Sequence, residues 1–194
     1  MSSEEIIKLL KKQESYFKNK GGLTISGGEA LLQRKELLNL FRKAKKAGFH
    51  TALDTNGSIL DSDAKKLLEV TDLVLLDVKH IDPIWHQTVT SASNETVLQF
   101  AKYLENTNKP MWLRYVLVPG YTDQKEFLHK WGAYFAKYKN IQRVEILPFH
   151  TYGFYKYEEL GIKNPLEDCP VPTKEQIQEA YDIFKKYFKS VYIR

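Results

Sequence analysis

Short apolar segments alternate with longer amphipathic ones along the whole chain, and this alternation constrains the fold more than any other feature. Leu23–Ser26, His50–Leu53, Asp72–Val78, Met111–Val118 and Val144–Phe149 read as strands, with a last short one in "VYIR". Their spacing of roughly 25–35 residues leaves room for one helix between each pair. "DLVLLDV" (Asp72–Val78) is a near-continuous apolar run, as expected of a parallel strand covered on both faces.

The intervening segments carry helix signals. Ser2 and Glu5 form a capping box, with Ile6, Ile7, Leu10 and Phe17 near one face before Gly21-Gly22 ends the helix. Leu37, Leu40, Phe41 and Ala44 make the next stripe, stopped by Gly48. A short helix is expected over Ala64–Val70, and another capped by Asn94 with Val97, Ala101 and Leu104 inward. Asp123 and Glu126 match a further capping box, followed by Phe127, Trp131, Tyr134 and Tyr138. After a looser, tyrosine-bearing segment, His150–Pro172, Thr173 and Gln176 open a last helix. Its inward residues are Ile177, Ala180 or Tyr181, Phe184 and Phe188. The pattern predicts one parallel α/β domain over residues 1–194, short of the about 250 residues of a complete eight-fold barrel.

Composition removes several function classes. No apolar run approaches the ~20 residues of a membrane span. The start, Met1-Ser-Ser-Glu-Glu, lacks a signal peptide's basic and apolar regions, so a cytoplasmic protein without a membrane partner is expected. The net charge of +5 resides in lysines mixed with glutamates, as in Lys8 to Lys20 and Arg42 to Lys46. These read as solvated helix faces, with no nucleic-acid partner. The single cysteine, Cys169, makes no intrachain disulfide and cannot by itself hold a zinc or iron–sulfur site.

Parallel α/β folds place their chemistry at the C-terminal ends of the strands, and here those positions are polar. Gly27, Gly28 and Glu29 follow the first strand, and Asp54, Thr55, Asn56 and Gly57 the second. The third ends in Asp77 and Lys79, the fourth carries Arg114, and the fifth runs into His150. Singly, each has an ordinary reading: a tight turn at the glycines, a first-turn charge at Glu29, a turn capped by Asp54 at "DTNG", an Asp77–Lys79 ion pair, a surface arginine, a loop histidine. Jointly they suit a small ligand carrying an ammonium and a carboxylate, such as an amino acid, with glycines admitting it close to the backbone. Two of the acidic groups near each other can also hold a cation.

At these residues the sequence resembles the pyruvate formate-lyase-activating enzymes of the radical S-adenosylmethionine superfamily. The matching stretches are "GGLTISGGEALLQ", "HTALDTNG", "VTDLVLLDVKHID", "WLRYVLVPGYTD" and "VEILPFHTYGFYKYEELGI", in family order and over nearly the whole chain. The resemblance implies a partial (β/α)6 barrel, open and TIM-like. It implies that Gly27, Gly28 and Glu29 bind the methionine part of S-adenosylmethionine, with Glu29 meeting its ammonium. Asp54, Thr55 and Asp77 match a monovalent-cation site, with a backbone carbonyl from near Leu75. Lys79, Arg114 and His150 match positions near the cofactor or the substrate peptide. The implied reaction is reductive cleavage of S-adenosylmethionine by a [4Fe–4S] cluster, giving a deoxyadenosyl radical that takes a hydrogen atom from one glycine of pyruvate formate-lyase.

One departure from the family pattern changes the expectation. The family's Cys-x3-Cys-x2-Cys cluster motif is absent, and the chain begins at what resembles the family's first helix, so its first strand and cluster loop are expected to be missing. Cys169 cannot substitute. The chain alone is therefore expected to be catalytically inactive, with the strand around Thr24 an open edge that favours self-association or a partner strand. The leading expectation is the core of a glycyl-radical-enzyme activase. The alternatives are a cluster-less module that binds S-adenosylmethionine or the partner without chemistry, a split system whose cluster arrives on a separate chain, and an unrelated α/β scaffold.

Overall fold

The structure, a computed structural model, describes residues 1–17 and 21–194. The last three residues of the expected Lys8–Lys20 basic stretch thus lie outside the described residues. The elements run α1 (Ser3–Phe17), β1 (Gly22–Ile25), a 3-10 turn (Ala30–Gln33), α2 (Arg34–Lys46), β2 (His50–Thr55), α3 (Ser62–Glu69) and β3 (Leu73–Asp77). They continue with α4 (Pro83–Thr90), α5 (Glu95–Asn106), β4 (Met111–Leu117), α6 (Lys125–Phe135), β5 (Ile141–Pro148), α7 (Tyr155–Glu159), α8 (Lys174–Lys185) and β6 (Val191–Ile193).

The sheet follows chain order, β1-β2-β3-β4-β5-β6, so β1 and β6 end it and it does not close on itself. This is the α/β arrangement of a partial, open (β/α) barrel of parallel strands, and β1 is an edge as the sequence led one to expect. The register pairs Thr24 with Ala52 and Ile25 with Leu53, then Asp54 with Leu75 and Thr55 with Leu76. Two compact units emerge: Met1–Val78 with Glu95–Leu113 and Lys139–Gln142, and Lys79–Asn94 with Arg114–Tyr138 and Arg143–Arg194.

In the first unit the local signals operate as read. The Ser2 hydroxyl accepts from the Glu5 N–H at 3.2 Å and the Glu5 carboxylate from the Ser2 N–H at 2.6 Å, completing the capping box. Leu37, Leu40, Phe41 and Ala44 are buried along α2. At the Gly48 stop, the Phe49 N–H returns to the Ala44 carbonyl at 2.9 Å. Leu10, Ala44 and Phe49 then pack together, with Phe17 edge-on to Phe49. Asp61 caps α3 and also receives Arg34 at 2.6 Å, tying α2 to α3. Along β3, Val74 and Leu76 are fully buried, whereas Leu75 and Asp77 on the alternate face are only half-buried. Coverage of both faces, expected from the apolar run, thus holds for one face and fades towards the C-terminal end of the other.

In the second unit Tyr115, Trp131 and Phe184 form a fully buried aromatic cluster with centroids 4.9–5.4 Å apart. The Tyr115 hydroxyl donates to the Thr122 carbonyl at 2.7 Å, and burial raises its pKa. Thr173 and Gln176 close the expected capping box on α8. The box expected at Asp123 does not form: Gln124 caps α6 without a side-chain bond. Asp123 is committed elsewhere, accepting from the Gly120 N–H at 2.8 Å and the Gln176 amide at 3.0 Å. Two helices were not anticipated. In α4, Asp82 caps the Ile84 and Trp85 N–H groups with Pro83 in the first turn. The other, α7, interrupts the loose His150–Pro172 segment.

Candidate functional site

The chain leaves β1 through two consecutive left-handed residues, Gly27 at φ +92° and Gly28 at φ +48°. A Cβ added at either would meet nothing within 4 Å, so these glycines answer a conformational need, and the space above the backbone is open. Glu29 follows in extended conformation as the cap of the 3-10 turn, its Oε1 accepting from the Leu31 N–H at 2.9 Å. Leu31, fully buried, anchors that turn.

The Glu29 carboxylate reaches across to the end of β2. Thr55 Oγ1 donates to Oε1 at 2.6 Å and the Asn56 N–H donates to Oε2 at 2.9 Å. The Thr55 hydroxyl in turn accepts from the Gly57 N–H at 3.0 Å, and Asn56 Oδ1 from the Ser58 N–H at 2.9 Å. These two side chains turn the "DTNG" segment. A carboxylate offers about four acceptor positions. Three are filled by the described residues, which leave one on Oε2.

Strand alternation sorts the other acidic candidates. Asp54 is in register with Leu75, and Asp77 lies two residues beyond Leu75, so both carboxylates belong to one sheet face at neighbouring strand ends. Both are half-buried. Thr55 belongs to the opposite face with Thr51 and Leu53, and is 3% exposed. The structure therefore joins Thr55 to Glu29 and pairs Asp54 with Asp77 by face. Two carboxylates and a strand carbonyl are oxygen donors of the kind a hard cation takes.

Lys79, Arg114 and His150 lie in the second unit. Lys79 opens the β3–α4 connection and lines a cavity of about 300 Å³ with Thr88, Val116, Phe149, Tyr157 and Leu166. Arg114 alternates with the buried Tyr115 on β4 and is half-buried. His150 is exposed just after β5, its ring 4.7 Å from that of Tyr152. Arg114 and His150 do not line the Lys79 cavity, although Phe149, next to His150, does.

Sequence reasoning gave no role to His80. It is fully buried, accepts from the Asp82 N–H at 3.0 Å on Nδ1, and packs edge-on against Phe127 at 4.7 Å. Burial holds its pKa below the ordinary histidine value. Its position one residue after Lys79, in a turn closed by Asp-Pro, was the available signal.

Cys169 lies in the second unit with its Sγ 3.6 Å from the Pro119 carbonyl, and burial raises its thiol pKa. Among the described residues no group of three or more His, Cys, Asp or Glu side chains is placed to hold a metal ion. The residues present do not fit an iron–sulfur cluster. They do fit the amino-acid end of S-adenosylmethionine: an uncovered glycine backbone beside a carboxylate with a remaining acceptor position. Among the described residues no helix is long and apolar enough to cross a membrane.

Comparison with known proteins bears on the family and the fold. The family model of the radical SAM superfamily matches residues 1–131. The pyruvate formate-lyase-activating enzyme of Streptococcus mutans is 44% identical over 94% of this chain and 74% of its own length. The pyruvate formate-lyase 1-activating enzyme of Escherichia coli K12 is 41% identical over 86% of this chain and 69% of its own. Among solved structures, a domain of pyruvate-formate lyase-activating enzyme from Bacteroides vulgatus aligns with a TM-score of 0.75 at 22% identity, covering 90% of this chain and 99% of that one. Streptococcus suis SuiB bound to precursor peptide SuiA aligns at 0.73 and 14%, covering 100% and 42%, and like the former shows the fold alone. By the family model over residues 1–131 and by identity over most of its length, this chain belongs to the pyruvate formate-lyase-activating enzyme family of the radical SAM superfamily.

Proposed function

We propose that this chain is the S-adenosylmethionine-binding core of a glycyl-radical-enzyme activase, acting on pyruvate formate-lyase or a related glycyl radical enzyme. The observation that carries the reading is the Glu29 carboxylate, fixed by Thr55, Asn56 and Leu31 beside two open left-handed glycines. Gly27 and Gly28 let the methionine moiety approach the backbone, and the remaining acceptor position of Glu29 Oε2 receives its ammonium. Asp54 and Asp77, with the Leu75 carbonyl, supply oxygens for a monovalent cation beside the ligand carboxylate. Lys79, Arg114 and His150 are assigned to the cofactor or the glycine-bearing peptide from the family resemblance.

S-adenosylmethionine, when bound and reduced, supplies this superfamily's means of taking a hydrogen atom from a substrate. The residues of this chain hold no group to deliver the electron, so the isolated chain is proposed to bind without turning over. A missing cluster-bearing segment or separate chain would complete it.

Calorimetric titration of S-adenosylmethionine with potassium present tests the binding half. Saturable one-to-one binding that disappears in Glu29→Ala is expected, and equal binding by both proteins refutes the role of Glu29. Anaerobic incubation with iron and sulfide tests the other half. A stoichiometric cluster with glycyl-radical formation on pyruvate formate-lyase would overturn the proposed inactivity.

A further inference from the structure

We propose that Thr55 is a positioning residue that aims the Glu29 carboxylate, and that its hydroxyl is not a ligand of the cation; this rests on the reading of Glu29 as the ammonium acceptor. Three observations point the same way. Thr55 ends β2 on the same face as Thr51 and Leu53, the face on which the Thr51 hydroxyl donates to the Val70 carbonyl at 2.7 Å at the end of α3. Asp54 faces the other way. Thr55 is 3% exposed, so its hydroxyl serves neighbours rather than solvent.

The hydroxyl has one proton, and that proton goes to Glu29. Accepting from the Gly57 N–H at 3.0 Å polarises the O–H bond towards Oε1, 2.6 Å away, within the range of charge-assisted O–H···O⁻ bonds. Gly57 is itself held: at φ +67° a Cβ would lie 2.9 Å from Leu76 Cδ1. The relay therefore runs from a fixed backbone N–H through a stiff β-branched side chain to the carboxylate.

Among the described residues Glu29 has three donors, of which two are backbone N–H groups and Thr55 is the one supplied by a side chain. Oε1 takes two donors, from Leu31 and Thr55, and Oε2 takes one from Asn56. The open acceptor position is thereby steered to Oε2. Without the Thr55 hydroxyl, rotation about the terminal bond of Glu29 is restrained by one donor per oxygen and the open position is no longer assigned to one atom.

The test compares Thr55→Val, Thr55→Ser, Glu29→Gln and the Thr55→Val/Glu29→Gln double variant by calorimetry with S-adenosylmethionine across a potassium series. Thr55→Val is expected to weaken binding about ten-fold, the loss of one hydrogen bond to a charged group. Thr55→Ser is expected to restore most of it. In the Glu29→Gln background the valine should add less than about two-fold, because the two residues act as a unit. The potassium dependence should be unchanged in Thr55→Val and displaced in Asp54→Asn. Independent losses at Thr55 and Glu29, or a potassium shift in Thr55→Val like that of Asp54→Asn, overturn the proposal.

Amide hydrogen exchange without ligand separates this proposal from the wider functional reading. If Thr55 aims the carboxylate, Thr55→Val loosens Glu29 and the Asn56 N–H that donates to Oε2 exchanges faster, with Thr55→Ser restoring protection. Unchanged Asn56 protection in Thr55→Val refutes the positioning role. Failure of the unaltered chain to bind S-adenosylmethionine refutes the functional reading and leaves the exchange result to decide the Thr55–Glu29 link.

Discussion

Gly57→Ala isolates the packing beneath the site from its chemistry. Gly57 lies at φ +67° beneath the turn that carries Asn56, and an added Cβ would come 2.9 Å from Leu76 Cδ1, 3.2 Å from Val97 Cγ2 and 3.3 Å from the Phe100 ring. Leu76 and Phe100 are fully buried and cannot swing into solvent. Left-handed backbone costs an alanine about 1–2 kcal/mol. Forcing a methyl into a packed core adds about 1–3 kcal/mol. The expected loss is about 2–5 kcal/mol, which lowers Tm by roughly 4–20 °C in a domain of this size. Gly28→Ala is the control, since it carries the positive φ and has no neighbour within 4 Å of the added carbon. It should lose only about 1–2 kcal/mol. Urea and thermal unfolding of both variants would measure the difference, and equal destabilisation would refute the packing argument.

Two further outcomes follow from buried groups. Burial holds the His80 and His86 imidazoles below their ordinary pKa, so the unfolded chain takes up protons that the folded one refuses. Their contribution to stability is complete above about pH 6.5 and is lost as pH falls through the folded values below it, at no more than about 1.4 kcal/mol per pH unit for each group. Urea unfolding at pH 7.5 and pH 5.5 should show this slope, and His80→Gln, which keeps an acceptor for the Asp82 N–H, should flatten it; identical slopes would refute the assignment. Trp131→Ala, which removes a fully buried ring in contact with Tyr115, Phe135 and Phe184, should cost about 3–5 kcal/mol in urea midpoint analysis, and a loss below about 1 kcal/mol would show that the cluster repacks.

What was legible in the sequence was what is local or periodic. The Ser2–Glu5 and Thr173–Gln176 boxes span three residues and have no distant competitor. The Asp123 box shows the same spacing and fails, because Gly120 and Gln176, 53 residues away, claim the carboxylate. Asp82-Pro83 was a readable start for α4, but its mixed apolar run gave no clear stripe. At the site, the placement of Glu29, Asp54 and Asp77 at strand ends was readable from the βα rhythm. The direction of Thr55 was not, because it depends on which sheet face the helices cover. The lining of the Lys79 cavity by Thr88, Phe149, Tyr157 and Leu166 was equally hidden, since tertiary packing alone gathers those residues.

The way each carboxylate is satisfied sets Glu29 apart from the other acids. Asp61 holds the Arg34 guanidinium, Asp72 the Lys45 ammonium, and Glu145 both Arg143 and Arg194. In each, opposite charges meet within the protein. Among the described residues Glu29 is held by two backbone N–H groups and a hydroxyl, all uncharged. Dipoles fix its geometry while leaving its net negative charge in place. A half-buried carboxylate kept in one orientation, with no cationic partner among the described residues, is suited to a cationic group that arrives from outside; in the proposed function a ligand ammonium supplies the charge that Arg34 and Lys45 supply elsewhere. The arrangement is complete within β1, the 3-10 turn and the end of β2, so replacing Glu29 with glutamine should abolish preference for the charged ligand while leaving the fold of these elements intact. Binding of S-adenosylmethionine compared with its deaminated analogue measures that preference, and a glutamine variant that still discriminates between them would place the ammonium elsewhere.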